Sequence, residues 1–147
     1  MAPLSGSKTP WHLWLVGILG LPWNGFGAFD YSMTQLRGEQ HMRDFGMTDA
    51  QIAHMAEIPA WMTAVWAIGV WGGLLGTVLL LLKNRLAVPV FAISLGAFII
   101  SLVHAYILTN SAKIMGGQTD IMNSVILAGC LFFLFYARAM ARKGVLR

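Results

Sequence analysis

The sequence predicts an all-α polytopic membrane protein: four transmembrane helices in an antiparallel bundle, with one short helix on the outer surface. Three observations predict it. The chain of 147 residues is 57% apolar and only 11% charged, whereas soluble domains carry about 25% charged residues, so lipid suits it better than water. Its charges fall between long apolar runs, each near the length of about 20 residues that a helix needs to cross a bilayer. The runs also lack the alternating polarity of barrel strands of about ten residues. The length predicts a single domain over residues 1–147.

The first span is expected at about residues 10–33. Its core, Trp11 to Phe29, holds no Lys, Arg, Asp or Glu. Lys8 and the apolar run after it resemble the opening of a signal peptide. The run is too long, and no A-x-A-like cleavage site follows, so it reads as a retained span. Pro22 cannot donate to the carbonyl of Ile18, which predicts a bend. Asn24 follows, and Gly25 and Gly27 thin the helix. Two readings follow: a kinked helix whose Asn24 bonds a neighbouring span, or a broken helix whose freed backbone lines a solute site.

The long connection after it carries Thr48 and Gln51 in capping-box spacing. Ile52, Met55 and Ala56 then share one face, which predicts a short helix on the membrane surface. Pro59 ends that helix and opens the second span, 58–82. The turn Lys83-Asn84-Arg85 is so short that the second span and the third, 86–108, must be neighbours of opposite direction. Pro89 falls in the first turn, where its missing N–H costs little. Gly116-Gly117 predicts a turn. Thr119 is expected to cap the fourth span, 119–137, with Asp120 at the positive end of its dipole. No internal repeat is visible, which weakens inverted-repeat transporter schemes.

The basic residues set an orientation. Lys8, Lys83, Arg85, Arg138, Arg142, Lys143 and Arg147, seven of the ten, fall on one side of this topology, and Arg37, Arg43 and Lys113 on the other. The positive-inside rule therefore predicts both termini in the cytoplasm. Trp11 and Trp14 fit an inner aromatic belt and Trp61 an outer one. The net charge of +4 is spread over loops and the C-terminus, which argues against a nucleic-acid partner. The lipid bilayer is the expected partner, together with further copies of the chain or a larger membrane complex.

The candidate binding residues are Asn24, beside the Pro22 kink, and Asp30, Tyr31, Thr34, His104 and Asn123, which with Tyr106 and Asp120 form one polar layer near the outer ends. Charged groups near lipid tend to face a bundle interior or a partner, and an Asp30–His104 pair would be pH-sensitive; the plainer reading sends Asp30 to the headgroups. Asn24 and Asp30 are six residues apart on a helix, so they point about 120° from each other. The second span carries AIGVWGGLLGT, in which Gly69, Gly72, Gly73 and Gly76 form one ridge of small residues that lets backbones approach. Ser94, Ala97 and Ser101 form a matching seam on the third span. This ridge suits either internal packing or an interface with another chain.

Seven methionines, Met33, Met42, Met47, Met55, Met62, Met115 and Met122, fall toward the outer side, and His41-Met42 and His54-Met55 form repeated pairs. Such ligands suit Cu(I), but the spacing fits no compact site, and Met also fills gaps. His12 and His104 are expected at opposite ends, too far apart to share a haem. Cys130 alone can form no intrachain disulfide or thiol metal site. No cofactor is therefore expected, and without a convergent nucleophile and base no enzymatic activity either.

The segments PWHLWLVGILGLPWNGFGAFDYSMTQ (10–35) and PAWMTAVWAIGVWGGLLG (59–76), with the basic turn after the second, resemble a group of small four-span bacterial inner-membrane proteins, some of which carry a sugar-transporter label. The resemblance implies four spans and a bacterial inner membrane, and it supplies no functional residues. Two functions are weighed. One is a non-enzymatic accessory or assembly subunit, packing through its glycine ridge and aromatic surfaces. The other is a small-solute, sugar-like transporter working as an oligomer around Asn24 and Asp30.

Overall fold

The computed structural model describes residues 8–147, and they are helical with no strand among them. Seven α-helices follow in order: α1 (Trp11–Arg37), α2 (Glu39–Asp44), α3 (Asp49–Ala56), α4 (Ala60–Leu81), α5 (Ala87–Val103), α6 (Ser111–Met115) and α7 (Gly117–Arg142). A π-helical turn, His104–Leu108, extends α5. Three segments, Ala60–Leu81, Ala87–Leu108 and Thr119–Arg142, are long and apolar enough to cross a membrane. At 27 residues α1 is the longest helix, but His12, Pro22, Asn24 and its tryptophans dilute its hydropathy.

Local chemistry sets the ends. Thr48 accepts from the Gln51 N–H at 3.2 Å and Gln51 Oε1 accepts from the Thr48 N–H at 3.0 Å, completing the expected capping box of α3. Pro59 is the N-cap of α4, as its missing N–H suits. α7 begins earlier than expected. Gly116, at φ 90°, turns the chain, and Gly117 starts the helix. Thr119 is therefore inside the first turn, its hydroxyl donating to the Met115 carbonyl at 3.2 Å instead of capping. Asp120 does fall in that first turn. α1 runs through Pro22 without interruption.

Helix α4 packs on both α1 and α5, and α5 packs on α7. The α4–α5 register is read from the glycines. A Cβ on Gly69 would lie 3.9 Å from Ala97 Cβ, one on Gly72 3.2 Å from Ser94 Cβ, and one on Gly76 2.7 Å from the Phe91 ring. Side chains join α7 to α1: a Cβ on Gly20 would meet Phe133 at 2.9 Å, and one on Gly129 would meet Trp23 at 3.4 Å. The core gathers at one end, where Leu13, Leu80, Ala87, Phe91, Phe133, Ala137 and Met140 are buried with Val145 and Leu146. Large apolar side chains on all four long helices stay exposed, among them Ile18, Trp71, Ile93 and Phe135. Exposed apolar surface of this extent marks contact with lipid or partners.

The C-terminal segment closes the buried end. Gly144, at φ 78°, ends α7 with bonds from its own N–H to Ala141 and from Val145 to Met140, a Schellman arrangement. The chain then pairs with the α4–α5 turn: Arg147 N–H donates to the Lys83 carbonyl at 2.8 Å, and Arg85 N–H to the Arg147 carbonyl at 3.1 Å. That turn repeats the Schellman bonds, Lys83 to Leu80 and Asn84 to Leu79, with Lys83 at φ 57° where glycine would suit better. A left-handed residue with a Cβ costs roughly 1–2 kcal/mol. Lys83→Gly should therefore raise stability by about 1 kcal/mol, and Gly144→Ala should lower it by about as much. Thermal melts in one detergent measure both. Equal and like-signed shifts would contradict this reading of the two turns.

Candidate functional site

Midway along the bundle, α1, α4 and α5 meet through polar side chains. Asn24 Nδ2 donates to Thr77 Oγ1 at 2.8 Å and to the Gly20 carbonyl at 3.2 Å. Thr77 Oγ1 donates to the Gly73 carbonyl, one turn back, at 2.9 Å. From the other side, Ser94 Oγ donates to the Gly69 carbonyl at 2.6 Å. Thr77 is fully buried. A hydroxyl in such a place costs free energy unless bonded, and among the described residues no buried side-chain nitrogen or oxygen lacks a partner.

Gly73 makes this arrangement fit. A Cβ there would lie 2.6 Å from Asn24 Oδ1 and 3.6 Å from Ser94 Oγ. The bare backbone of α4 thus admits the Asn24 amide between the helices. All four ridge glycines are used inside the chain, Gly69, Gly72 and Gly76 against α5 and Gly73 against α1 and α5. Ser94 and Ala97 meet the ridge as the small-residue pattern predicts; Ser101 bonds back to the Ala97 carbonyl of its own helix.

The candidate outer layer divides into separate pairs. Asp30 is bonded to His41, whose Nε2 donates to Asp30 Oδ1 at 2.8 Å, rather than to His104. His41 is buried among rings, with Phe29 6.3 Å and Phe45 4.8 Å away between centroids. Tyr31 is edge-on to Trp66 at 4.9 Å. Thr34 is buried, and its carbonyl accepts the Gly38 N–H at 3.0 Å where α1 ends. His104 is buried against Trp61 at 5.4 Å, and its carbonyl closes the π-turn by accepting the Thr109 N–H at 3.0 Å. Asn123 Nδ2 donates to Tyr106 Oη at 3.5 Å, and Tyr106 donates to Asp120.

The two His-Met pairs also part. His41 is bonded to Asp30, while His54 shares a hydrogen bond with Ser111. Gln51 Nε2 donates to the Met115 carbonyl at 3.0 Å, so α3 is tied to α6. Among the described residues no three His, Cys, Asp or Glu side chains converge as metal ligands. On the exposed α2–α3 surface Arg43 donates to Glu39 and to Asp49. The hydrogen bond to Glu39, then that to Asp49, raises the Arg43 pKa.

Sequence reasoning missed Thr77, His41 and Trp66 as partners. Thr77 could have been found, because it follows Gly73 by one turn and is the ridge's one hydroxyl. The geometry predicts a graded glycine series. Gly73→Ala drives a methyl into Asn24 and should cost about 1–3 kcal/mol, as overpacking does. Gly96→Ala, with nothing within 4 Å of its Cβ, should gain up to about 1 kcal/mol of helix propensity. Asn24→Ala alone should cost roughly 0.6 kcal/mol. In the Asn24→Ala background Gly73→Ala should cost less than in the wild type, since the clashing oxygen is gone. Strict additivity in that cycle would show that Asn24 and Gly73 do not touch. No known protein family, curated protein or solved structure matches the chain.

Proposed function

We propose that the protein is a non-enzymatic accessory or assembly subunit of a bacterial inner membrane, spanning it four times with antiparallel helices and both termini in the cytoplasm. The falling register of α5 against α4 supports opposite directions for that pair. The segregation of basic residues supports the orientation. The observation that carries the functional reading is the chain of hydrogen bonds from Asn24 to Thr77 and from Thr77 to the Gly73 carbonyl. The Asn24 Nδ2, Thr77 and Ser94 donors at mid-bundle are spent on contacts among and within α1, α4 and α5. A carrier would need those groups turned toward a solute, and Asn24 and Asp30 have separate partners.

Because the glycine ridge is consumed internally, partner contacts fall to the outward aromatic faces. Trp11, Trp14 and Trp23 of α1, Trp71 of α4 and Phe132 and Phe135 of α7 are exposed. Aromatic side chains dominate the energetics of interfaces.

Two experiments test the reading together. Proteoliposomes should take up none of a panel of sugars, amino acids and organic acids, with or without a proton gradient; uptake abolished by Asn24→Ala would establish the carrier instead. A photo-crosslinking residue at Trp71 or Phe132 should give one discrete protein adduct in native membranes. Adducts to lipid alone from every aromatic position would contradict the subunit reading.

A further inference from the structure

At the buried end of the bundle a cleft of about 320 Å³ opens between the start of α5 and the end of α7, lined by Arg85, Val88, Pro89, Arg138, Ala141 and Arg142. Three of its six lining residues are arginines, all exposed. Among the described residues none of the three forms an ion pair or a side-chain hydrogen bond. The reason lies in where the acids are. All six are Asp30, Glu39, Asp44, Asp49, Glu57 and Asp120. Asp120 precedes Arg138 by 18 residues on α7, about 27 Å of helix. Asp30 and those after it follow most of the length of α1, whose start is held at this end by Lys83 Nζ donating to Thr9 at 3.3 Å.

The local backbone does not supply the missing negative charge. The positive end of α5 and the negative end of α7 are side by side, so their dipoles offset each other. The last carbonyls of α7, Ala139 and Ala141, are taken by Lys143 and Gly144. The Arg147 backbone oxygen accepts the Arg85 N–H. Even with an α-carboxylate counted there, the cations Lys83, Arg85, Arg138, Arg142, Lys143 and Arg147 outnumber it. Guanidinium groups match phosphate oxygens in geometry as well as charge.

We propose that this cleft binds the phosphate of an anionic phospholipid headgroup, with its acyl chains lying along α5 and α7. The apolar surroundings favour a lipid over a soluble phosphate. One turn from Pro89 is Ile93, and three residues before Arg138 is Phe135, both exposed, so the arginine cluster continues directly into apolar ridges. Basic pockets between spans on the cytoplasmic side take such headgroups. The inference rests on the membrane-spanning reading above.

The test is native mass spectrometry of the full chain released from nanodiscs of equimolar phosphatidylglycerol and phosphatidylcholine. The wild type should retain phosphatidylglycerol preferentially. The triple variant Arg85→Gln/Arg138→Gln/Arg142→Gln should lose that preference, with binding weaker by roughly a hundredfold for three basic side chains. Arg37→Gln/Lys113→Gln, at the other end, should keep it. Should the triple variant not fold, Arg138→Gln alone should weaken retention by about fivefold. Equal retention of the two lipids, or an unchanged preference in the arginine variants, overturns the proposal. So does stabilisation by excess inorganic phosphate without anionic lipid, which would assign the cleft to a soluble anion. Release with no phospholipid of either kind would overturn the membrane-spanning reading itself.

Discussion

The close approach of α1 and α5 to the glycine ridge of α4 is the constraint on which the rest of the bundle depends. The hydrogen bond from Asn24 to Thr77 joins α1 to α4 at mid-length and gives the Asn24 amide a partner inside the protein. It requires Gly73, since any Cβ there would displace the amide. It also requires Thr77 to satisfy itself on the Gly73 carbonyl. On the other side of α4, Gly72 and Gly76 admit Ser94 and Phe91 of α5. One helix thus carries both contact faces. Its large side chains, Trp71 and Leu75, are left pointing outward.

Much of this was legible in the chain. Charge-free runs bounded by Pro59, the Lys83-Asn84-Arg85 turn and the basic C-terminus mark the apolar helices, because length and composition alone decide whether a helix can cross lipid. The capping box at Thr48 and Gln51 and the glycine ridge are local patterns with local causes, and both are in place. What was not legible depends on tertiary placement. His41 reaches Asp30 because Gly38, at φ 55°, turns α2 back toward the end of α1; no spacing rule pairs residues across such a turn. The π-turn after Val103 changes the helical phase of His104 to Leu108, which the sequence pattern continues as a regular helix. The candidate outer layer assumed common depth. Side-chain direction split it into Asp30–His41, Tyr31–Trp66, His104–Trp61 and the Tyr106 group.

The two ends of the molecule differ in kind. At one, acidic side chains have local partners: Glu39 and Asp49 pair with Arg43, Asp30 is hydrogen-bonded to His41, and Asp44 accepts from Gln40. At the other, basic side chains gather around a buried apolar plug of Met140, Val145 and Leu146. The proposed cytoplasmic placement of this end accounts for both its charge and its arginine cleft, because the inner leaflet presents anionic headgroups. The apolar plug and the Arg147–Lys83 backbone pair hold the cleft's two walls together.

The central claim is the proposal that α1 crosses the membrane although it is less apolar than α4, α5 or α7, its mid-helix Asn24 donating its hydrogen bonds inside the protein. Site-directed labelling tests this most directly. With Cys130→Ala as background, single cysteines at Thr9, Gln40 and Asn84 are reacted with a membrane-impermeant maleimide in intact cells and in inverted vesicles. The account predicts that Gln40 labels only in intact cells with a permeable outer barrier, and that Thr9 and Asn84 label only in inverted vesicles. Thr9 and Gln40 labelling from the same side would show that α1 does not cross, and the account would fail.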